Sequence, residues 1–341
     1  VGEALVDTSH EPVHRETARR DAHPILRLVQ RRVASGVLTL FLVSVVIFVA
    51  TEILPGNAAE AILGRNDTSP RRLHALELQL HLNRPAVGQY WTWLSGLFTG
   101  HLGRSLLNHQ PVWSLVEPRL VDSAALVLVA GVIGSLLGVA LGAAAALRKD
   151  GKLDHASSVI ALAVTSLPEF VVAVGLIILL STTIWHVLPA VSLLPPDTYP
   201  WNSPQLLILP SATLVIVIVP YTMRMMRASM IEALGSDYVE MARLKGVPER
   251  RIVLVHALPN AIAPTIQVIG LGFLYLAGGI VVVEYVFNFP GIGQELVYAV
   301  NGRDIPVIQF VVVILAAFYV FVNILADVVA LLATPRRRIA R

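Results

Sequence analysis

The chain has no cysteine among its 341 residues, and only 14% of them are charged. Without cysteine there can be no disulfide, thiolate metal site or thiol nucleophile. A soluble domain carries about 25% charged residues. The deficit lies in long uncharged runs rather than in uniform greasiness, which points to a polytopic membrane protein. No Gly-x-x-x-x-Gly-Lys-Ser/Thr phosphate loop occurs, so the chain is not expected to bind and hydrolyse ATP by itself. There is no His-Glu-x-x-His run or paired Cys/His spacing for a metal, and no serine in a Gly-x-Ser-x-Gly elbow. The ten histidines are scattered. His256 reads as a surface or helix-terminus residue rather than a ligand. A formal charge of +3 with no continuous basic face argues against a nucleic-acid partner.

What is present is a set of six apolar runs: residues 33–54, 121–147, 156–181, 205–223, 261–287 and 305–332. They predict an all-α polytopic membrane protein with six transmembrane helices. The polar leader 1–32 is too long for a signal peptide and the first run exceeds an h-region, so the first span is expected to be retained. Six spans put both termini on one side. The segments on that side (1–32, 148–155, 224–260 and 333–341) hold 19 of the 26 lysines and arginines. The positive-inside rule therefore predicts that both termini are cytoplasmic. Residues 55–120 become an extracytoplasmic helical segment, with an amphipathic stretch at 71–82. The aromatic run Tyr90-Trp91-Thr92-Trp93 either lies at the headgroup level or packs on the spans. Gly134, Gly138 and Gly142 recur every four residues and predict close approach by a neighbouring helix. Residues 121–332 are expected to form the core transmembrane domain, and 333–341 a cytoplasmic tail.

A polar island, 224–260, interrupts that core. Asp237 can cap a helix there with Glu240 as its reciprocal partner. Gly246 suits the left-handed position that ends it, and Pro248 the first turn of the next. The helix is about ten residues, roughly 15 Å, too short to span. Its spacing groups Tyr238, Met241, Ala242 and Lys245 on one side and Glu240 with Arg243 on another. Such a short stiff helix between spans is a lever.

Ionisable residues at membrane depth are functional suspects. Glu169, beside Pro168 in the middle of the third run, reads either as a polar contact for substrate in a water-filled path or as a carboxyl satisfied by a neighbouring helix or partner chain. Glu284, close to the end of the fifth run, reads as shaping an outer gate, with a pathway role as the other possibility. The stretch Asn288-Phe289-Pro290-Gly291-Ile292-Gly293 turns or re-enters at the membrane face. Asn323 and Asp327 are one turn apart in the sixth run and read as helix–helix glue. Pro210 and Pro220 are expected to break or kink the fourth.

The lever resembles the EAA loop of ABC-importer permeases: Glu240-Met241-Ala242, then Gly246, Ile252 and Leu258-Pro259. Met241 replaces the usual middle alanine. Further stretches are similar to the dipeptide/oligopeptide permease family, specifically its B-type first permease subunit. They are Leu54-Pro55-Gly56-Asn57-Ala58, Leu82-Asn83-Arg84-Pro85, Gln89 to Leu94, His101-Leu102-Gly103-Arg104-Ser105, Pro111-Val112, the 288–293 stretch and Arg303-Asp304-Ile305-Pro306-Val307. The likeness runs over roughly residues 25–338.

It implies a prokaryotic inner-membrane subunit that makes half of an import pathway for di- or oligopeptides. The implied partners are a second homologous permease, two cytoplasmic ATP-binding subunits, an extracytoplasmic substrate-binding lipoprotein and the lipid bilayer. The chain itself carries no cofactor; ATP and Mg belong to the ATPases. The resemblance implies that Asp237, Tyr238, Glu240, Met241, Ala242, Arg243, Lys245 and Gly246 couple to the ATPase. Pro168, Glu169 and Glu284 are candidates for the substrate pathway, and Asn288, Pro290, Gly291 and Gly293 for the outer gate or binding-protein contact. Alternatives are a secondary transporter or channel using Glu169 and Glu284, a scaffold, or an importer of nickel, haem-like or glutathione cargo.

Overall fold

With no water in a bilayer to satisfy backbone N–H and C=O groups, an apolar run must close its hydrogen bonds internally, and these runs do so as long helices. The computed structural model describes residues 24–53, 74, 85–195 and 198–333. The helices are α1 (Pro24–Ile53), α2 (Ala86–Thr99), α3 (Val112–Leu147), α4 (Lys152–Thr165), α5 (Glu169–Ile177), α6 (Pro204–Leu234), α7 (Asp237–Leu244), α8 (Leu258–Phe287), α9 (Ile292–Gly302) and α10 (Ile305–Ala333). Five stretches are long and apolar enough to cross a membrane, and six if the bent pair α4 and α5 counts as one.

The centre is α3, α6 and α8. The pair α3 with α6 makes the most extensive packing, and α8 lies against both. Leu126, Leu214, Ile218, Leu276, Ile280 and Phe287 fill the space between them. Gly134, Gly138 and Gly142 do face α6, as their spacing predicts. A Cβ on Gly138 would stand 2.6 Å from Cβ of Thr222, and one on Gly142 would stand 2.5 Å from the carbonyl oxygen of Met223. On the outside, α1 packs along α10. Arg32 pairs with Asp327 at 2.6 Å, which gives Asp327 the gluing role expected of it.

The prolines behave differently from the sequence expectation. Pro210 and Pro220 lie inside one continuous helix, α6, which runs on to Leu234. Helix α6 packs against α3 and α8, a setting in which membrane helices commonly tolerate a proline without breaking. Pro168 does break its run. It takes φ −59° and ψ 145° and stands before α5, while α4 and α5 meet at 104°. A proline disfavours helix at the residue before it, which places the break at its N-terminal side. Glu169 therefore begins a half-span instead of sitting in the middle of a straight one.

Of the two readings of the aromatic run, packing on the spans holds for Tyr90. In α2, the Tyr90 hydroxyl is 2.9 Å from Oγ of Ser44, and its ring meets Phe48 edge-on at 5.3 Å, whereas Trp91 and Phe98 are exposed. The amphipathic stretch 71–82, apart from His74, lies outside the described residues, as do 1–23 and 54–73. Two of the family-like stretches meet in space: Ser105 donates to the Asp304 carboxylate, and the Leu106 N–H reaches its other oxygen at 3.1 Å.

Candidate functional site

Three places collect the residues singled out by the sequence: the lever, the corner between α8 and α9, and the bend at Glu169. The lever is α7, eight residues long. Its N-cap is Ser236, in extended backbone, and not Asp237. The Ser236 hydroxyl turns back to the Ala233 carbonyl at 2.5 Å, so no side chain caps the helix. Asp237 and Glu240 instead lie in the first turn, where their charge favours the positive end of the helix dipole. The expected reciprocal capping box is therefore absent.

The other end follows the prediction. The Val247 N–H reaches the Ala242 carbonyl at 3.1 Å and the Gly246 N–H the Arg243 carbonyl at 2.9 Å. That pair is a Schellman ending. Gly246 has φ +71° and open space where a Cβ would be. It is needed for its backbone conformation, not for room. Pro248 is the residue before the next short turn, Glu249–Arg251. A π-type turn over Ile252–Ala257 then feeds α8.

The lever's faces also differ from the spacing argument. Val239 is fully buried, Tyr238 accepts a hydrogen bond from Asn260 Nδ2 at 3.1 Å, and Arg243 is tied to Glu249 at 2.8 Å. The exposed side carries Asp237, Glu240, Met241 and Leu244, which the i, i+3, i+4, i+7 rule puts on one stripe. Met241 thus shares a face with Glu240, and Tyr238 and Ala242 turn inward. Spacing alone misplaces the faces because it cannot show that Val239 is the anchor. Leu244 is 76% exposed and shares this stripe with the exposed Met241.

At the corner, Glu284 has no exposed surface. It accepts hydrogen bonds from Ser123 Oγ, Gly293 N–H at 2.7 Å and Gln294 N–H at 3.1 Å. The last two donors are the start of α9, so the carboxylate caps that helix from another element. A Cβ on Gly291 would run into the Glu284 carboxylate, and one on Gly293 would stand 2.6 Å from the Val281 Cα. Asn288 adopts φ 51° and accepts from Gln294 Nε2 and Tyr298 hydroxyl at 3.1 Å. Pro290 is half-buried between these glycines and Phe289.

Helix α9 itself is not among the elements expected from the sequence. Gly291 as N-cap, Glu295 in the first turn, and Ile292, Leu296 and Ala299 at helical spacing are the signal for it. Glu295 pairs with Arg119 at 3.0 Å. Burial pushes its carboxyl up, Arg119 pulls it down, and Asp304 pushes the same way as burial.

Glu169 stands apart from both. It is half-buried, lies against Gly279, and has the Tyr275 hydroxyl 3.5 Å from Oε2. Pro168 is exposed beside it. Glu169 and Glu284 share no bond. One sits on an open face and the other in a closed corner. Among the described residues no group of His, Asp and Glu is placed to hold a metal ion.

Long apolar helices, a glycine-packed helix pair and a short helix between two spans define an all-α integral membrane protein. The chain belongs to the family of binding-protein-dependent transport system inner membrane components, whose description matches residues 138–339. The N-terminal description of the same membrane component matches residues 25–127. Relatives include a putative peptide transport system permease protein of Brucella abortus (strain 2308), 35% identical over 91% of this chain and 98% of that one. A probable peptide ABC transporter permease of Sinorhizobium fredii is 34% identical over 91% and 98%. The glutathione transport system permease protein GsiC of Escherichia coli O6:H1 is 34% identical over 92% and 99%. The chain is thus a multi-pass prokaryotic inner-membrane permease of a binding-protein-dependent ABC importer, a class whose membrane components are not themselves catalytic.

Proposed function

We propose that this permease imports di- or oligopeptides, forms half of the pathway, and receives the work of ATP hydrolysis through α7. The observation that carries the coupling reading is the exposed stripe of Asp237, Glu240, Met241 and Leu244 on a helix anchored only by Val239, Tyr238 and Arg243. An acidic and apolar stripe on a short helix suits the cleft of a soluble partner, with Met241 and Leu244 as apolar anchors and the acids setting register. Two ATP-binding subunits are the partners, one for this chain and one for a second permease of similar fold.

The charge distribution supports placing both termini and α7 in the cytoplasm. Residues 55–120, together with Asn288, Pro290, Gly291 and Gly293, then face the extracytoplasmic binding protein. In this reading Glu284 shapes the outer gate by fixing the start of α9, and Glu169 lies on the pathway. ATP-driven approach of the two ATPases pushes the two levers, and α6 and α8, which the lever joins, tilt to switch access.

Peptide cargo is supported by the peptide transport named for the Brucella and Sinorhizobium relatives. The GsiC relative supports glutathione, a modified tripeptide, as the second reading. The test is uptake into proteoliposomes containing the whole importer and its binding protein. Uptake of a tripeptide should require ATP on the ATPase side. Uptake driven by an ion gradient with no ATPase present would contradict the reading and favour a secondary transporter.

A further inference from the structure

Two opposite charges stand on the open face shared by α4, α5, α6 and α8, and neither has an ionic partner among the described residues. Glu169 meets only the hydroxyl of Tyr275. Arg224 donates through one terminal nitrogen to Thr165 Oγ1 at 2.8 Å and to the Ala161 carbonyl at 3.5 Å, leaving its other guanidinium nitrogens free. Three other arginines on the helices do have carboxylate partners: Arg227 pairs with Asp154, Arg119 with Glu295, and Arg32 with Asp327.

Between the two free charges lie two tyrosines. Tyr221 and Tyr275 are each about half exposed, with ring centroids 6.4 Å apart and planes at 39°. Tyr221 precedes Arg224 by three residues on α6 and so shares its face. Thr165, which holds Arg224, and Glu169 bracket the bend, four residues apart and hence no more than about 14 Å. Gly278, three residues beyond Tyr275, has open space where a side chain would be. Glu169 lies within the third apolar run, where a charge faces a water-filled cavity or another chain rather than lipid, and Arg224 stands one residue past the fourth run.

We propose that this patch is an end-group clamp for a zwitterionic peptide. Glu169 takes the α-ammonium, Arg224 takes the terminal carboxylate, and the two tyrosine rings lie against the chain between them. The Glu169 carboxylate attracts an ammonium by charge, and the neighbouring Tyr275 hydroxyl offers it a further acceptor. A guanidinium with free nitrogens accepts a carboxylate in fork geometry. A partner chain covering the patch would have to bring a cation and an anion of its own in matching register. A short peptide carries both by its own chemistry. The inference rests on the peptide reading above and adds to it which residues meet the cargo's two ends.

The test uses the complete importer and three probes: trialanine, N-acetyl-trialanine and trialanine amide. Uptake is measured with the binding protein. Equilibrium binding to the assembled permease–ATPase complex without it removes that protein's own preference. Glu169→Gln should lower the binding of trialanine about tenfold, the loss expected for one charge-assisted hydrogen bond. It should leave N-acetyl-trialanine unchanged, so that the acetyl group no longer matters. Arg224→Gln should do the same for the amide and not for the acetyl peptide.

Equal scaling of all three peptides by either variant, or no change at all, would overturn the clamp while leaving the permease reading intact. A variant that loses the second permease on purification would assign these charges to the partner contact and overturn it as well. Failure of the unaltered importer to bind or take up any of the three would refute the peptide reading, and the clamp with it.

Discussion

The lever and the α8–α9 corner look alike in the sequence and differ in kind. Each pairs an acidic residue with glycine and proline punctuation. At the lever, Glu240 is exposed and Gly246 has nothing within 4 Å of a Cβ. At the corner, Glu284 is wholly buried, and Gly291 and Gly293 leave no room for one. The first region keeps its surface free and uses its glycine for backbone geometry. The second uses its glycines for space and its carboxylate to satisfy a helix end. One presents an open surface, and the other is locked in place by its own contacts.

The largest expected effect breaks the corner. Glu284→Ala leaves the Gly293 and Gln294 N–H groups buried without acceptors. That should cost about 3 kcal/mol or more, read as loss of detergent-stable protein. Glu284→Gln, which keeps an acceptor oxygen, should recover part of it. A normal yield of Glu284→Ala would erase the contrast with the lever. Next comes Glu240→Lys, which reverses the charge on the exposed stripe. Assembly should be unchanged and ATP hydrolysis retained, but uptake in proteoliposomes should fall by most of its value. Uptake equal to the unaltered chain would detach the stripe from coupling.

Glycine substitutions sharpen the comparison further. Gly246→Ala forces a Cβ into left-handed backbone at roughly 1–2 kcal/mol, and thermal denaturation should show a modest shift with the complex intact. Gly293→Ala collides with the backbone at Val281 and should cost clearly more. Similar shifts for the two would mean that room and backbone conformation matter equally at both sites.

The smallest effect concerns pH. Burial raises the Glu295 carboxyl above the ordinary glutamate range, so the folded chain holds that proton more tightly than the unfolded one. Its contribution to stability is therefore lost as pH rises from the ordinary value through the raised one. Glu295→Gln should flatten that part of the stability profile. A slope unchanged by the substitution would place its origin elsewhere.

Much of this architecture is legible in the chain itself. Long uncharged runs can only be spans, and the 134–138–142 glycine spacing has one physical use in a membrane. The ending of the lever at Gly246 is legible because left-handed backbone has few tolerant residues. What is hidden depends on tertiary context. Pro210 and Pro220 carry the same local signal as Pro168, yet neighbours on both sides keep α6 continuous while the 104° bend opens beside Pro168. Helix α9 leaves a signal in Gly291, Glu295 and the spacing of Ile292, Leu296 and Ala299, but its capping by Glu284, on another element, depends on tertiary context. The lever's outward face turns on which residue becomes the anchor, and Val239 looks no different in sequence from Met241. That Glu169 and Arg224 have no ionic partner among the described residues is likewise visible only in the tertiary packing.

The central claim is that α7 transmits work through the stripe Asp237, Glu240, Met241 and Leu244. The chain has no cysteine, so cysteines can be introduced singly from residue 237 to 245, each carrying a photo-crosslinker, in the assembled importer. Crosslinking to the ATPase should peak at 237, 240, 241 and 244, fall at 238, 239 and 242, and change in yield on ATP binding. A profile that peaks at Tyr238 and Ala242, or that is flat along the helix, would contradict it.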